Sequence, residues 1–163
     1  MKYFFPVMMA LVIMVGLGAS LTPIIAEQFF PNSASRYQKA NPDNAKEALA
    51  TWFSVSSKSF VEVSAIRHQS PERSTRWYKF VTNRKPVQVF IKRMRLEQLN
   101  LDETVLQQAF MATLPPVDWW KPASLQRKSY FMGKDGRSVI KLIYNAETET
   151  GYLLIESTTE PKA

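Results

Sequence analysis

His68 is the single histidine of the 163-residue chain, and the chain contains no cysteine. A thiolate nucleophile, a Cys–His pair and a multi-histidine metal site all need residues that are missing here. One histidine can still activate one serine, and Ser57, Ser59 and Ser70 are near it in sequence. Nothing orders those serines into a nucleophile elbow, the strained turn that exposes a reactive hydroxyl. The carboxylates are scattered. Asp102 and Glu103 fall at a helix start, where capping accounts for them. Glu147 and Glu149 fall in a turn, and Asp118 lies beside two tryptophans. Only five glycines occur, and none forms a Gly-rich phosphate loop. The sequence therefore points to no catalytic residue, no metal ligand and no cofactor. Two reactions stay open: a glycosidase, which needs two carboxylates facing each other, and a hydrolase centred on His68, against the plainer reading of that residue as a surface or strand-end histidine beside the polar stretch QSPERST.

Binding chemistry is better represented. The segment LPPVDWWKP, residues 114–122, sets Asp118 beside Trp119 and Trp120. Adjacent side chains of an extended chain point opposite ways, so one ring can plug a core while the other meets a partner or a membrane surface. Tryptophan is enriched in binding hot spots and at lipid interfaces. The competing reading has both rings covering a sheet beneath a proline-fixed loop. The run RWYKF places Trp77 and Tyr78 in a second aromatic and basic cluster. It reads equally as strand alternation, with Lys and Arg stems covering apolar surface. Trp119, Trp120, Asp118, Trp77 and Tyr78 are the candidate contacts for a protein partner.

Charge marks a second candidate surface. The formal net charge is +7, and residues 58–95 hold ten Lys or Arg against two Glu. Arg84, Lys85, Lys92, Arg93 and Arg95 are the candidate ligands for an anionic lipid or an acidic envelope polymer. The plain alternative is a solvated basic surface.

These residues need elements to hold them, and the spacing of apolar residues supplies an outline. AKEALATWF predicts a helix over residues 44–53, with Ala45, Ala48, Leu49 and Trp52 on one face. β-Prone runs predict strands over 60–66 and 77–82, separated by a polar turn over 69–75. Pro86 opens a helix whose apolar stripe is Val87, Phe90, Ile91 and Met94. Asn100 and Glu103 have the spacing of a cap with its partner, preceding a helix over 102–112 that Pro115 and Pro116 end. Asp135-Gly136 predicts a tight hairpin between strands over 130–133 and 138–144, and a third strand covers 152–157. On the middle strand Ile140, Leu142 and Tyr144 share one face and Val139 and Ile143 the other. The expected fold is α+β. An antiparallel sheet of four to five strands ends in a C-terminal three-stranded meander, with two to three helices packed mainly on one face.

Residues 3–26 carry no charged side chain over 24 positions. That is long enough for a transmembrane helix, which needs about 20 apolar residues. The domain plan is a membrane anchor or signal segment over 1–26, a linker over 27–43, one α+β domain over 44–157 and a polar tail over 158–163. A cleaved signal peptide is the alternative, with Lys2 as its basic start and Gly18-Ala19-Ser20 as small residues for cleavage. The run outlasts what a signal needs, which favours a retained anchor. Gly16 and Ser20 form a small-xxx-small pair that would admit another helix. Without cysteine there is no lipid-modified thiol. Lys2 favours export of the domain, whereas Arg36, Lys39 and Lys46 after the run lean the other way. The functional expectation is a non-catalytic, membrane-anchored envelope protein. Its extracytoplasmic domain binds a protein partner or supports assembly of a membrane complex. A binding module for anionic lipid or envelope polymer is the alternative, and a His68 hydrolase the second. No nucleic acid is expected for an exported domain.

Overall fold

The strand Thr150–Thr158 shows what governs the architecture, because Gly151 to Ile155 are all buried in succession. A strand covered on one face alternates buried and exposed residues; five buried in a row require a layer on each face. The structure is a computed structural model and describes residues 36–158. The apolar run 3–26, most of the linker and the tail from 159 onward lie outside the described residues. Among the described residues no helix is long and apolar enough to cross a membrane.

In chain order the elements are β1 (Arg36–Lys39), α1 (Pro42–Phe53), β2 (Phe60–Gln69), β3 (Arg73–Thr82), α2 (Arg84–Arg93), β4 (Glu97–Leu99), α3 (Glu103–Leu106), β5 (Ser129–Asp135), β6 (Ser138–Asn145) and β7 (Thr150–Thr158). A π turn, Gln107–Met111, continues α3. The fold is α+β. All seven strands join one antiparallel sheet in the order β1-β2-β3-β7-β6-β5-β4, two or three more strands than the sequence suggests.

Helices α1 and α2 cover the first face. Leu49, Phe53, Val87 and Phe90 meet Phe60, Val63, Phe80, Leu142 and Leu153 there. Phe53 is the hub: it stacks on Phe90 at 4.2 Å and meets Phe60 and Phe80 edge-on at 5.3 and 5.4 Å. Full burial of such a ring contributes about 2–3 kcal/mol. The stripe of α1 runs through Ala45, Leu49, Ala50 and Phe53, so Ala48 is exposed and Trp52 half-buried, one residue round from the expected face. Asn41 caps the helix, its side-chain oxygen accepting from the Asp43 N–H at 3.0 Å, and Ser54 ends it in the left-handed region.

The second face is covered by α3, its π turn and the loop to β5, not left open as the expected one-sided packing implies. Leu106, Phe110, Trp120 and Leu125 close over Ile66, Trp77, Ile143, Tyr152 and Leu154. Asp102, not Asn100, caps α3, with its carboxylate accepting from the Val105 N–H at 2.7 Å. Lys141 and Glu156 form a half-buried ion pair of 2.6 Å, and Lys141 also donates to the Ala109 carbonyl of the π turn.

Candidate functional site

The helix α2 carries the site. Asn83 caps it by accepting from the Lys85 N–H, and Pro86 sits within its first turn. Its buried stripe, Pro86, Val87 and Phe90, lies on the sheet. That orientation fixes the remaining faces, because residues four apart stack along a helix. Arg84, Gln88 and Lys92 follow that spacing. After Arg93 the backbone turns through a positive φ at Arg95, drops Leu96 into the core and starts β4. Leu96 can approach because β5 has a glycine opposite. A Cβ on Gly133 would lie 2.5 Å from the Leu96 side chain.

Between α2 and the β4–β6 half of the sheet lies a cavity of about 450 Å³. Arg84, Lys92 and Arg95 line it, and among the described residues no Asp or Glu does. Its apolar wall comes from Val87, Ile91, Leu96 and Phe131, with Tyr144 buried at the floor. The Tyr144 hydroxyl donates to the Thr82 carbonyl at 2.8 Å. Burial holds that phenol above its ordinary value; the Glu149 carboxylate adds to the effect, and the Arg84 guanidinium opposes it. Such a concavity is in the size range of small-molecule sites and pairs cations with an apolar surface.

Of the five basic candidates, the structure thus gathers three. Lys85 is exposed and lies off the cavity. Arg93 turns toward α1, donating to the Thr51 and Trp52 carbonyls at 3.2 and 3.3 Å and to the Ser54 hydroxyl. It serves as a cationic cap on that helix C-terminus.

The aromatic candidates have a different fate. Trp77 is wholly buried and Trp120 is 4 % exposed, so neither ring offers a surface to a partner. Trp120 donates its indole N–H to the Phe110 carbonyl at 3.1 Å and meets Tyr152 edge-on at 5.3 Å. Trp119 is half-buried against the same core, and Asp118 is exposed. Tyr78 is buried on the opposite face, among the helix-side residues. His68 lies against Tyr37 of β1, the two rings tilted with centroids 4.4 Å apart, and among the described residues no hydroxyl or carboxylate bonds to it. Ser70 is spent on its own turn, accepting from the Arg73 N–H and donating to the Arg73 carbonyl. Ser59 lends its carbonyl to the Thr82 hydroxyl. Among the described residues no three His, Asp or Glu side chains are grouped to hold a metal ion.

Missed in the sequence were the apolar walls Leu96 and Phe131, which come from separate elements. The 84, 88, 92 spacing could have paired Arg84 with Lys92 on one helix face, but it carries no signal for Leu96 or Phe131. Compared with protein-family models, curated proteins and solved structures, the chain matches none.

Proposed function

We propose that this chain is a non-catalytic binding module, tethered to a membrane through residues 3–26, with its domain on the extracytoplasmic side. In this reading the cavity beside α2 takes an anionic ligand that carries an apolar portion. The observation that carries it is the lining: among the described residues, three cations, no carboxylate, and an apolar wall in one concavity. Lipid suits it better than an acidic envelope polymer, because a chain of charged sugars leaves Val87, Ile91 and Phe131 unused. The test is binding of the full chain to vesicles of phosphatidylglycerol, with phosphatidylcholine vesicles as the neutral comparison. Added salt and the double change Lys92→Glu with Arg95→Glu should each weaken binding by about tenfold or more. Lys85→Glu, off the cavity, should change it little. Binding indifferent to salt and to the double change refutes the reading. A reporter fused to the C-terminus tests the side of the membrane.

A second reading, contact with a protein partner, rests on the loop that follows the π turn. Leu114 is 55 % exposed there, with half-buried Trp119 and exposed Asp118 further along. Pull-down with Leu114→Ser tests it: an unchanged set of recovered partners removes this loop as the contact.

A further inference from the structure

A second cation cluster lies on the β1–β3 half of the same sheet face, and the register creates it. Arg67 of β2 stands directly opposite Arg76 of β3, and Gln38 of β1 directly opposite Arg67. Like charges facing each other across a ladder destabilise it. Natural strands usually place a carboxylate there, yet among the described residues neither arginine pairs with one. The ion pairs Lys141–Glu156 and Arg127–Glu147 involve neither arginine. Arg67 donates to the neutral Gln38 side chain at 2.5 Å, and Arg76 lies 6.0 Å from the centroid of the Trp52 ring.

The space in front of this pair is a cavity of about 360 Å³. Gln38, Lys39, Arg67, Arg76 and Tyr78 are among its lining residues, and none of the described lining residues is acidic. The Tyr78 hydroxyl bonds to no described group, although the residue is 9 % exposed. Burial raises its pKa, and the charges of Arg76 and Arg67 pull the other way, which places both guanidinium groups within electrostatic reach of the phenol. It therefore stays a protonated donor at neutral pH. Two guanidinium forks and a phenolic O–H face this cavity, and the acceptor that the described residues give them is the neutral Gln38 amide.

That set of donors matches a group with several charged oxygens and tetrahedral reach. Guanidinium forks bind phosphate oxygens in pairs, and a carboxylate would leave most of these donors unused. The volume exceeds what a bare phosphate needs and leaves room for a small organic substituent. We propose that Arg67, Arg76 and Tyr78 form a binding site for a phosphate ester. Two sources share that chemistry, a soluble phosphate ester and a lipid headgroup. This site is separate from the cavity beside α2 and shares none of its lining residues.

The test is calorimetry and thermal unfolding on the full chain in a neutral detergent. The soluble probe is glycerol 3-phosphate, with glycerol as its control. The lipid probe is dihexanoyl phosphatidic acid, with dihexanoyl phosphatidylcholine as its control. Binding of the soluble probe, or of phosphatidic acid alone, identifies the source. Arg67→Gln and Arg76→Gln should each weaken it by about tenfold, and Tyr78→Phe by about threefold. Lys92→Glu with Arg95→Glu should leave it within about twofold, which separates this site from the one beside α2. Without ligand, Arg67→Gln should melt no lower than the parent, because it relieves a like-charge pair. The proposal is overturned if neither phosphate probe binds or if both arginine variants bind as the parent does. It is also overturned if Arg67→Gln lowers the ligand-free melting temperature, since the arginine then serves the fold.

Discussion

Replacing Trp120 by alanine separates a core tryptophan from a partner-binding one. The ring is 4 % exposed, meets Tyr152 edge-on and lies 6.4 Å from Phe110. Truncating a buried Trp or Phe to alanine costs about 3–5 kcal/mol. The change also strands the Phe110 carbonyl, which loses the indole N–H at 3.1 Å. An unpaired buried acceptor costs about 1–3 kcal/mol, part of which water entering the gap recovers. The expected loss for Trp120→Ala is therefore about 4 kcal/mol. For a domain of this length that lowers the melting temperature by about 12–20 °C. Trp120→Phe keeps the ring contacts and loses the hydrogen bond, so about 1–2 kcal/mol is expected. Trp119→Ala, at a half-buried position, should cost about 1–2 kcal/mol. Urea unfolding followed by near-ultraviolet circular dichroism measures all three. Equal losses for Trp119→Ala and Trp120→Ala, or a Trp120→Ala loss below about 1 kcal/mol, refute the division of roles.

Two further predictions test the packing and the titration of the core. Gly151 lies across from Phe80, and a Cβ there would stand 2.3 Å from the Phe80 ring, itself fully buried against Phe53 and Phe60. Gly151→Ala should cost about 3 kcal/mol, and Phe80→Leu in the same chain should recover part of that, as urea midpoints will show. Burial holds the phenols of Tyr78, Tyr130, Tyr144 and Tyr152 above the ordinary 10.0. A group with a higher pKa in the folded chain contributes fully below its unfolded pKa and loses that contribution as pH rises through the folded one. Urea midpoints should therefore fall as the solution is made more alkaline than pH 10.0, and a midpoint that rises there contradicts the burial of these rings.

The sequence outlined the middle of the sheet far better than its edges, for a physical reason. The alternation of Ile140, Leu142 and Tyr144 against Ile143 survives in the fold because each set meets a different core. The hairpin before it forms at Gly136, with one positive φ at the first of two turn residues, so Asp135 ends β5 instead of entering the turn. Every residue of the edge strands β1 and β4 is on the exposed side, and they carry RYQK and EQL, so apolar periodicity has little to register. They exist because longer neighbours offer unpaired backbone groups. The end of α2 was equally hidden: Arg95 adopts a positive φ without the glycine that usually signals it. The two-sided burial of the sheet was legible in YLLI, four apolar residues in a row that a one-sided sheet would expose in part. For the site, charge marked the basic residues of 84–95 without dividing them between helix faces. Only the tertiary contact with Ser54 shows that Arg93 leaves the site.

Arg93 and Arg67 illustrate why charge counting stops short of function. Both belong to the basic stretch, and both are exposed. Arg93 has carbonyl acceptors at the C-terminal end of α1, where the helix dipole favours a cation. Arg67 faces another arginine and a neutral amide. A cation held by the fold's own acceptors stabilises it, whereas one set against a like charge opposes it until a ligand arrives. Neutralising each in turn should therefore change ligand-free stability in opposite senses: Arg93→Gln lowers the melting temperature, and Arg67→Gln leaves it level or raises it. The sign sorts cations that build the domain from cations held for a ligand, and it does so before the ligand is known. Thermal unfolding of both variants decides it; a fall of equal size in the two would assign Arg67 to the fold as well.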